Sequence, residues 1–359
     1  MNRRQLLRGL VVAGVFAGAG SGLVGLATRS PGSRTVSLGF DDVLAAGATP
    51  KPVADRLRQV GATTVAITAG RPDWTTFRWT DHTEAWSSQI TAGQSDPFAE
   101  AVRSVGAGRK VVAVVDVLAE RLIQQRPELA ARDAKGVVSP LRPSTTALVD
   151  GVVGERIVAM VGYLLDHYQV DAIDLTELDF YEFGYGPDDQ SAYTRATGRS
   201  DWPRKSDGSV DIDDPTIGRW RSGLLASLVE RVAVVVRAHR AKLLVDVRVS
   251  WSGLSRQGRE FGQDYQLLLA HADELVLWYL PGLAGQPATV DRLLAALPAA
   301  DLSRFVLSVG LWTEKKASAT EHLSAAVRAA ENAGLAGTWI TPYGLLDADA
   351  QQALLAGWS

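Results

Sequence analysis

Carboxylates and aromatic rings gather in one short stretch of this chain. Residues 170–181 read VDAIDLTELDFY: an apolar run of Val170, Ile173 and Leu175 around small Ala172, then Asp174, Glu177 and Asp179, then Phe180 and Tyr181. A strand buried in a parallel sheet reads as a nearly unbroken hydrophobic run. Acids at its C-terminal end fall where loops and ligands collect in α/β proteins. Two carboxyl groups flanking a glycosidic bond are enough to hydrolyse it, one as acid and the other as nucleophile or base. Glu177 is the expected general acid, because Asp174 and Asp179 are like charges that favour its protonated form. Asp174 shares a strand face with Ala172 and Thr176. It is expected to point inward, either in catalysis or in a buried ion pair with Arg248.

The partner carboxylate stays open at this stage. Glu314 follows an apolar run opposite the 170–175 strand, while Asp41, Asp42 and Asp116 end two earlier runs. Other polar and aromatic groups stand at similar ends: Arg71 and Trp74, Arg248 and Trp251, Trp278, Trp312 and Tyr343. Rings stack on the apolar face of a pyranose, and charged groups bind its hydroxyls. The expected substrate-binding set is therefore Asp41, Asp42, Arg71, Trp74, Asp116, Asp179, Tyr181, Arg248, Trp251, Trp278, Trp312 and Tyr343, with Glu177, Glu314 and Asp174 catalytic. No metal and no cofactor is expected. The five histidines lack ligand spacing, and there is no G-x-S-x-G elbow, P-loop or G-x-G-x-x-G after the first strand.

Eight apolar, strand-like runs could position these groups: 35–40, 64–68, 110–115, 170–175, 243–249, 274–279, 305–310 and 337–341. Amphipathic stretches separate them at 50–60, 97–105, 154–167, 219–239, 259–271, 289–297 and 320–333, and a last one covers 347–355. Eight strands alternating with helices predict a single (β/α)8 barrel, with an open doubly wound sheet as the alternative. Long loops at 70–95 and 178–218, after strands 2 and 4, carry many aromatic and charged residues; loops of that length are usually functional.

With 37 basic and 40 acidic side chains the formal charge is −3. Residues 1–27 hold Arg3, Arg4 and Arg8 and no acid, so their removal leaves 34 basic against 40 acidic groups, a charge of −6. That balance argues against a nucleic-acid partner, which would call for a basic face. The absence of cysteine excludes disulfides, thiolate metal sites and a thiol nucleophile. Residues 2–8, NRRQLLR, precede a Gly/Ala-rich apolar run to Ala27. This resembles a twin-arginine export signal. The expected organisation is a signal and linker over 1–33 and a catalytic domain over 34–359. The protein would leave the cytoplasm through the twin-arginine machinery, touching membrane only if the signal stays uncleaved.

Four phrases, ELAARDAKG (128–136), YQVDAIDLTE (168–177), Trp220-Arg221 opening a helix, and AGLAGTWITPY (333–343), resemble the glycosyl-hydrolase-like (β/α)8 families, of the family-10-like and exopolysaccharide-hydrolase type. In these a strand of the form D-G-I-x-x-D-D ends at the catalytic centre. The resemblance implies a polysaccharide or oligosaccharide substrate in the cell envelope or outside the cell. Asp171 matches the strand-opening acid, Ala172 the usual Gly, and Glu177 one terminal acid. Thr176 or Leu178 stands where the second is expected, so a catalytically inactive, glycan-binding barrel is the alternative.

Overall fold

The computed structural model describes residues 32–46, 50–93, 95–283, 286–287, 289–312 and 318–359. The expected export signal, within residues 1–31, and Glu314 lie outside the described residues. Eight parallel strands form the frame: β1 (Ser33–Leu38), β2 (Thr64–Arg71), β3 (Lys110–Asp116), β4 (Ala172–Thr176), β5 (Lys242–Val247), β6 (Glu274–Tyr279), β7 (Phe305–Gly310) and β8 (Gly337–Thr341). Each pairs in parallel with the next, and β1 pairs with both β2 and β8. The ring is therefore closed: a (β/α)8 barrel, not an open sheet.

Alternation along the strands sorts side chains to two sides. Ala66, Val112, Val114, Ala172, Leu244, Val276, Val306 and Trp339 form a cluster of their own, which is the barrel interior. Their neighbours in sequence, such as Val65, Ala113, Ile173, Val245 and Leu307, join the much larger core between sheet and helices. Continuing the inward parity toward the C-terminal ends reaches Asp116, Asp174, Thr176, Asp246, Arg248 and Trp278. At the opposite rim, two acids just ahead of their strands tie down neighbouring backbone. Asp171 accepts from Val111 N at 2.8 Å and Asp273 from Leu243 N at 2.8 Å. The acid that resembles a strand-opening motif residue thus has a structural task.

The sequence periodicity locates most helices within a few residues, including Pro97–Val105, Val152–His167 and Pro215–Ala238. Residues 259–271 are a correction. They form a 3-10 turn, Arg259–Phe261, and a short helix, Tyr265–Leu269 capped by Asp264. Gly262 between them has φ +78°, a left-handed conformation that ends a helix. The β3–β4 connection also holds an unforeseen antiparallel hairpin, Ala130–Arg132 with Val138–Pro143. The long β4–β5 connection is ordered by a small core of Tyr193, Trp202, Ile217 and Trp220.

Strand β2 runs three residues past its expected end and folds back on a short strand, Trp74–Thr75. Gly70 at the fold has φ +147°, and a Cβ there would lie 2.5 Å from the Trp74 carbonyl oxygen. Gly70→Val should cost about 2 kcal/mol or more, read as a lower urea midpoint. A midpoint unchanged within error would show that this fold-back does not constrain the barrel rim.

Candidate active site

At the C-terminal mouth β4 delivers Glu177 one residue beyond its last hydrogen-bonded position. Glu177 adopts φ +60°, a strained conformation for a residue with a Cβ. Its Oε2 accepts from Arg142 Nη2 at 2.9 Å and from Arg248 Nη2 at 3.0 Å. The same two guanidinium groups hold Asp179. Arg248 Nε donates to its Oδ2 at 3.0 Å, and Arg142 Nη1 lies 2.9 Å from its Oδ1, an ion-pair contact off the hydrogen-bond direction. Arg142 Nη1 further donates to the Asp179 carbonyl at 3.0 Å. The Arg248 guanidinium lies 4.0 Å over the Trp278 ring. Two acids two residues apart are thus held together by two cations from different parts of the chain. Glu177 keeps 22% of its side-chain surface exposed, against 1% for Asp179. Among the described residues Glu177 Oε1 makes no hydrogen bond, leaving it for a ligand.

Asp116 ends β3 beside this group. Arg71 Nε donates to its Oδ2 at 2.8 Å and Leu118 N to its Oδ1 at 2.9 Å. Burial pushes its pKa up to about 6 against the pull of these donors, with the Glu177 charge adding to the rise. Asp246, in register with Asp116 through Thr176, is pushed up to about 7, mainly by burial. Hydrogen bonds from Thr176 and Trp278 oppose that rise, and the Glu177 charge again adds to it. Asp174 lies deeper, fully buried, with neither carboxylate oxygen hydrogen-bonded. Burial and then the Asp246 charge raise its pKa well above the usual carboxylate range.

The inward direction expected for Asp174 holds, but the expected Asp174–Arg248 ion pair does not form. Arg248 reaches up to Glu177 and Asp179, because Asp174 sits one turn of the pleat below the mouth. Asp42 spends its carboxylate on backbone, accepting from Gly39 N at 2.9 Å and Gly344 N at 3.4 Å. Asp41 is exposed beside it in the same first helical turn. Trp74 packs edge-on against Phe40 at 4.8 Å, and Arg71 lies 5.3 Å over that same ring. Trp251 packs against Tyr279 at 5.7 Å. Tyr343 lies under Arg56 at 5.2 Å. Trp312 and Tyr181 are exposed. Arg142 was missed because nothing in the sequence marks its hairpin, and Asp246 because a lone acid in an apolar run gives no sign of its neighbours.

Removing Arg142 leaves two acids on one guanidinium. Arg142→Ala should destabilise the fold by on the order of 3 kcal/mol, measured by urea denaturation, with little rescue by lysine, which lacks the planar fork. A loss under about 0.5 kcal/mol would mean the ion network contributes nothing net. The raised pKa of Asp246 gives a second expectation. Between the ordinary carboxylate range and pH about 7 the folded state holds a proton that the unfolded chain releases. Its contribution to stability therefore falls as pH rises through that window. Asp246→Asn should gain stability relative to the wild type between pH 4 and pH 8, by about 1 kcal/mol or more. A gap independent of pH would contradict the buried, protonated acid.

No protein-family model matches the chain, and no curated protein matches it. Solved structures do. The glycoside hydrolase domain of PgaB (BpsB) from Bordetella bronchiseptica superposes with TM-score 0.64 at 15% identity, over 92% of this chain and 99% of that one. The catalytic domain of β-amylase from Paenibacillus polymyxa gives 0.60 at 11% identity, over 89% and 94%. A chitinase from Chromobacterium violaceum gives 0.52 at 11% identity, over 91% and 99%. The chain has the (β/α)8 barrel fold that these glycoside hydrolases share.

Proposed function

We propose that this protein is an exported glycoside hydrolase acting on a polysaccharide of the cell envelope or the extracellular space. The observation that carries the reading is Glu177. It stands partly open at the barrel mouth, held by two arginines, and its charge acts on Asp116, Asp179 and Asp246. Carboxyl groups converging from β3, β4 and β5, with the Trp278 ring under Arg248, suit a sugar more than any other substrate class. The fold is shared with glycoside hydrolases, a chitinase among them, and the twin arginine at Arg3-Arg4 supports export.

In this reading the proton donor shifts from Glu177 to Asp116. Two guanidinium groups pair with Glu177, a setting that suits a nucleophile or a base. Asp116, pushed up to about 6, is the acid at the same rim that keeps a proton under mildly acidic conditions. Glu314 remains a second candidate for the partner carboxylate. The competing reading, a barrel that binds glycans without cleaving them, draws on Leu178. This fully buried side chain occupies a position where the resembling families carry their second acid.

Glu177→Gln should lower hydrolysis of a cleavable envelope polysaccharide by about 10³-fold, while the protein still folds, with a wild-type circular dichroism spectrum. Wild-type turnover by that variant would remove Glu177 from the chemistry. Measured kcat/KM should fall as pH rises above about 6, as Asp116 loses its proton. A rate that climbs through that range would take the donor's role from Asp116.

A further inference from the structure

A second concave site lies beside the mouth, in a groove of about 970 Å³ between the loop after β4, the loop after β5 and the start of helix Pro215–Ala238. Its lining includes Tyr181, Tyr185, Phe261, Arg219, Arg221 and Ser222. Tyr181 and Phe261 stack with ring planes 3° apart and centroids at 6.0 Å. Tyr181 is 53% exposed and held at φ +44°. An aromatic residue kept both exposed and strained is one the fold does not need for packing. It offers a flat face of the kind on which a sugar ring stacks.

The electrostatics of the groove are unusual. Arg221 is 3% exposed, yet among the described residues no carboxylate lies within ion-pair distance of it. Its guanidinium faces the rings of Tyr185 at 4.2 Å and Phe180 at 5.5 Å, and donates to the carbonyls of Phe183 and Gly184. Its Nε has no hydrogen-bond partner, nor has the buried Ser222 Oγ next to it. The Tyr185 hydroxyl and, after it, the Asp189 charge act on the guanidinium, but that carboxylate is occupied by Thr145 and the Gly186 backbone. A buried cation normally has a partner anion.

The remaining charges on the groove wall largely cancel. Arg259 pairs with Asp264 at 2.6 Å and Arg256 with Glu260 at 3.1 Å. Asp213 and Asp214 pair with Lys205 at 3.7 Å and Arg199 at 4.0 Å, and they also act on Tyr185 and Arg219 of the groove. That leaves Arg221 as the buried lining cation with no carboxylate within ion-pair distance among the described residues, beside a stacking platform.

We propose that this groove is an accessory subsite for an acidic sugar unit, a pyranose bearing a carboxylate, that stacks on Tyr181 while its anion balances Arg221. The inference rests on the glycan-directed reading above and specifies the chemistry of one ring of the polymer. Tyr181 lies four residues beyond Glu177, so a chain held in the groove leads toward the mouth.

Binding is measured by calorimetry with the full chain carrying Glu177→Gln, so that no ligand is consumed. The probes are oligomers of galacturonate, of mannuronate and of alternating glucuronate and N-acetylglucosamine, each beside its carboxyl-reduced counterpart. At least one acidic oligomer should bind about tenfold more tightly than its neutral counterpart. Adding Arg219→Glu should abolish that preference, and Tyr181→Ala should weaken binding about fivefold. Raising salt from about 50 mM to about 500 mM should erode the preference. Equal affinity for acidic and reduced oligomers, no binding by any acidic one, or indifference to both exposed-site variants would each overturn the proposal. Failure of the hydrolytic reading would show separately, as absent turnover in the wild type, and would leave this binding result standing.

Discussion

Two acids placed two residues apart at the end of a buried strand repel each other, and burial penalises both. Glu177 and Asp179 coexist at the barrel mouth because Arg142 and Arg248 each bridge the pair. Those arginines come from the β3–β4 hairpin and from the end of β5. The network therefore also ties that hairpin to two consecutive strand ends. Asp179 sits deep and takes up much of the cationic charge, while Glu177 stays partly open with one oxygen unspent. The arrangement converts an unfavourable concentration of charge into a fixed, oriented carboxylate.

Beneath that network the barrel interior carries a column of acids that run short of partners. Asp246 has hydrogen bonds and a pKa near 7, and Asp174 has none. Buried carboxyl groups in such surroundings keep their protons, so the column presents little negative charge to the mouth under mildly acidic conditions. As pH rises, charge accumulates directly below Glu177. Stability and the electrostatics of the site are thereby set by the same residues.

How much of this could be read from the sequence depends on whether a feature is local. The apolar run ending in acids at 170–179 marks β4 and the mouth, because strand burial and strand ends leave periodic traces. The eight-fold alternation gives the closed barrel for the same reason. Arg142 left no trace, since its role depends on a hairpin whose folding back is a tertiary event. The Asp174–Arg248 pairing failed because parity tells which way a side chain points but not how far up the barrel a long arginine extends. The helix expected over 259–271 failed on the left-handed backbone at Gly262, where a turn overrides amphipathic periodicity. Tyr181 was expected among the substrate-binding residues, but its stacking partner Phe261 comes from a segment far away in sequence.

A crystal structure of the Glu177→Gln variant with an oligosaccharide it cannot cleave tests the central claim most directly. The account predicts a glycosidic oxygen within about 3 Å of a carboxyl group at the mouth, and a second carboxyl about 5–10 Å from the first on the other side of the bond. A saccharide bound elsewhere, or a mouth in which no second acid faces residue 177 across the sugar, would contradict it.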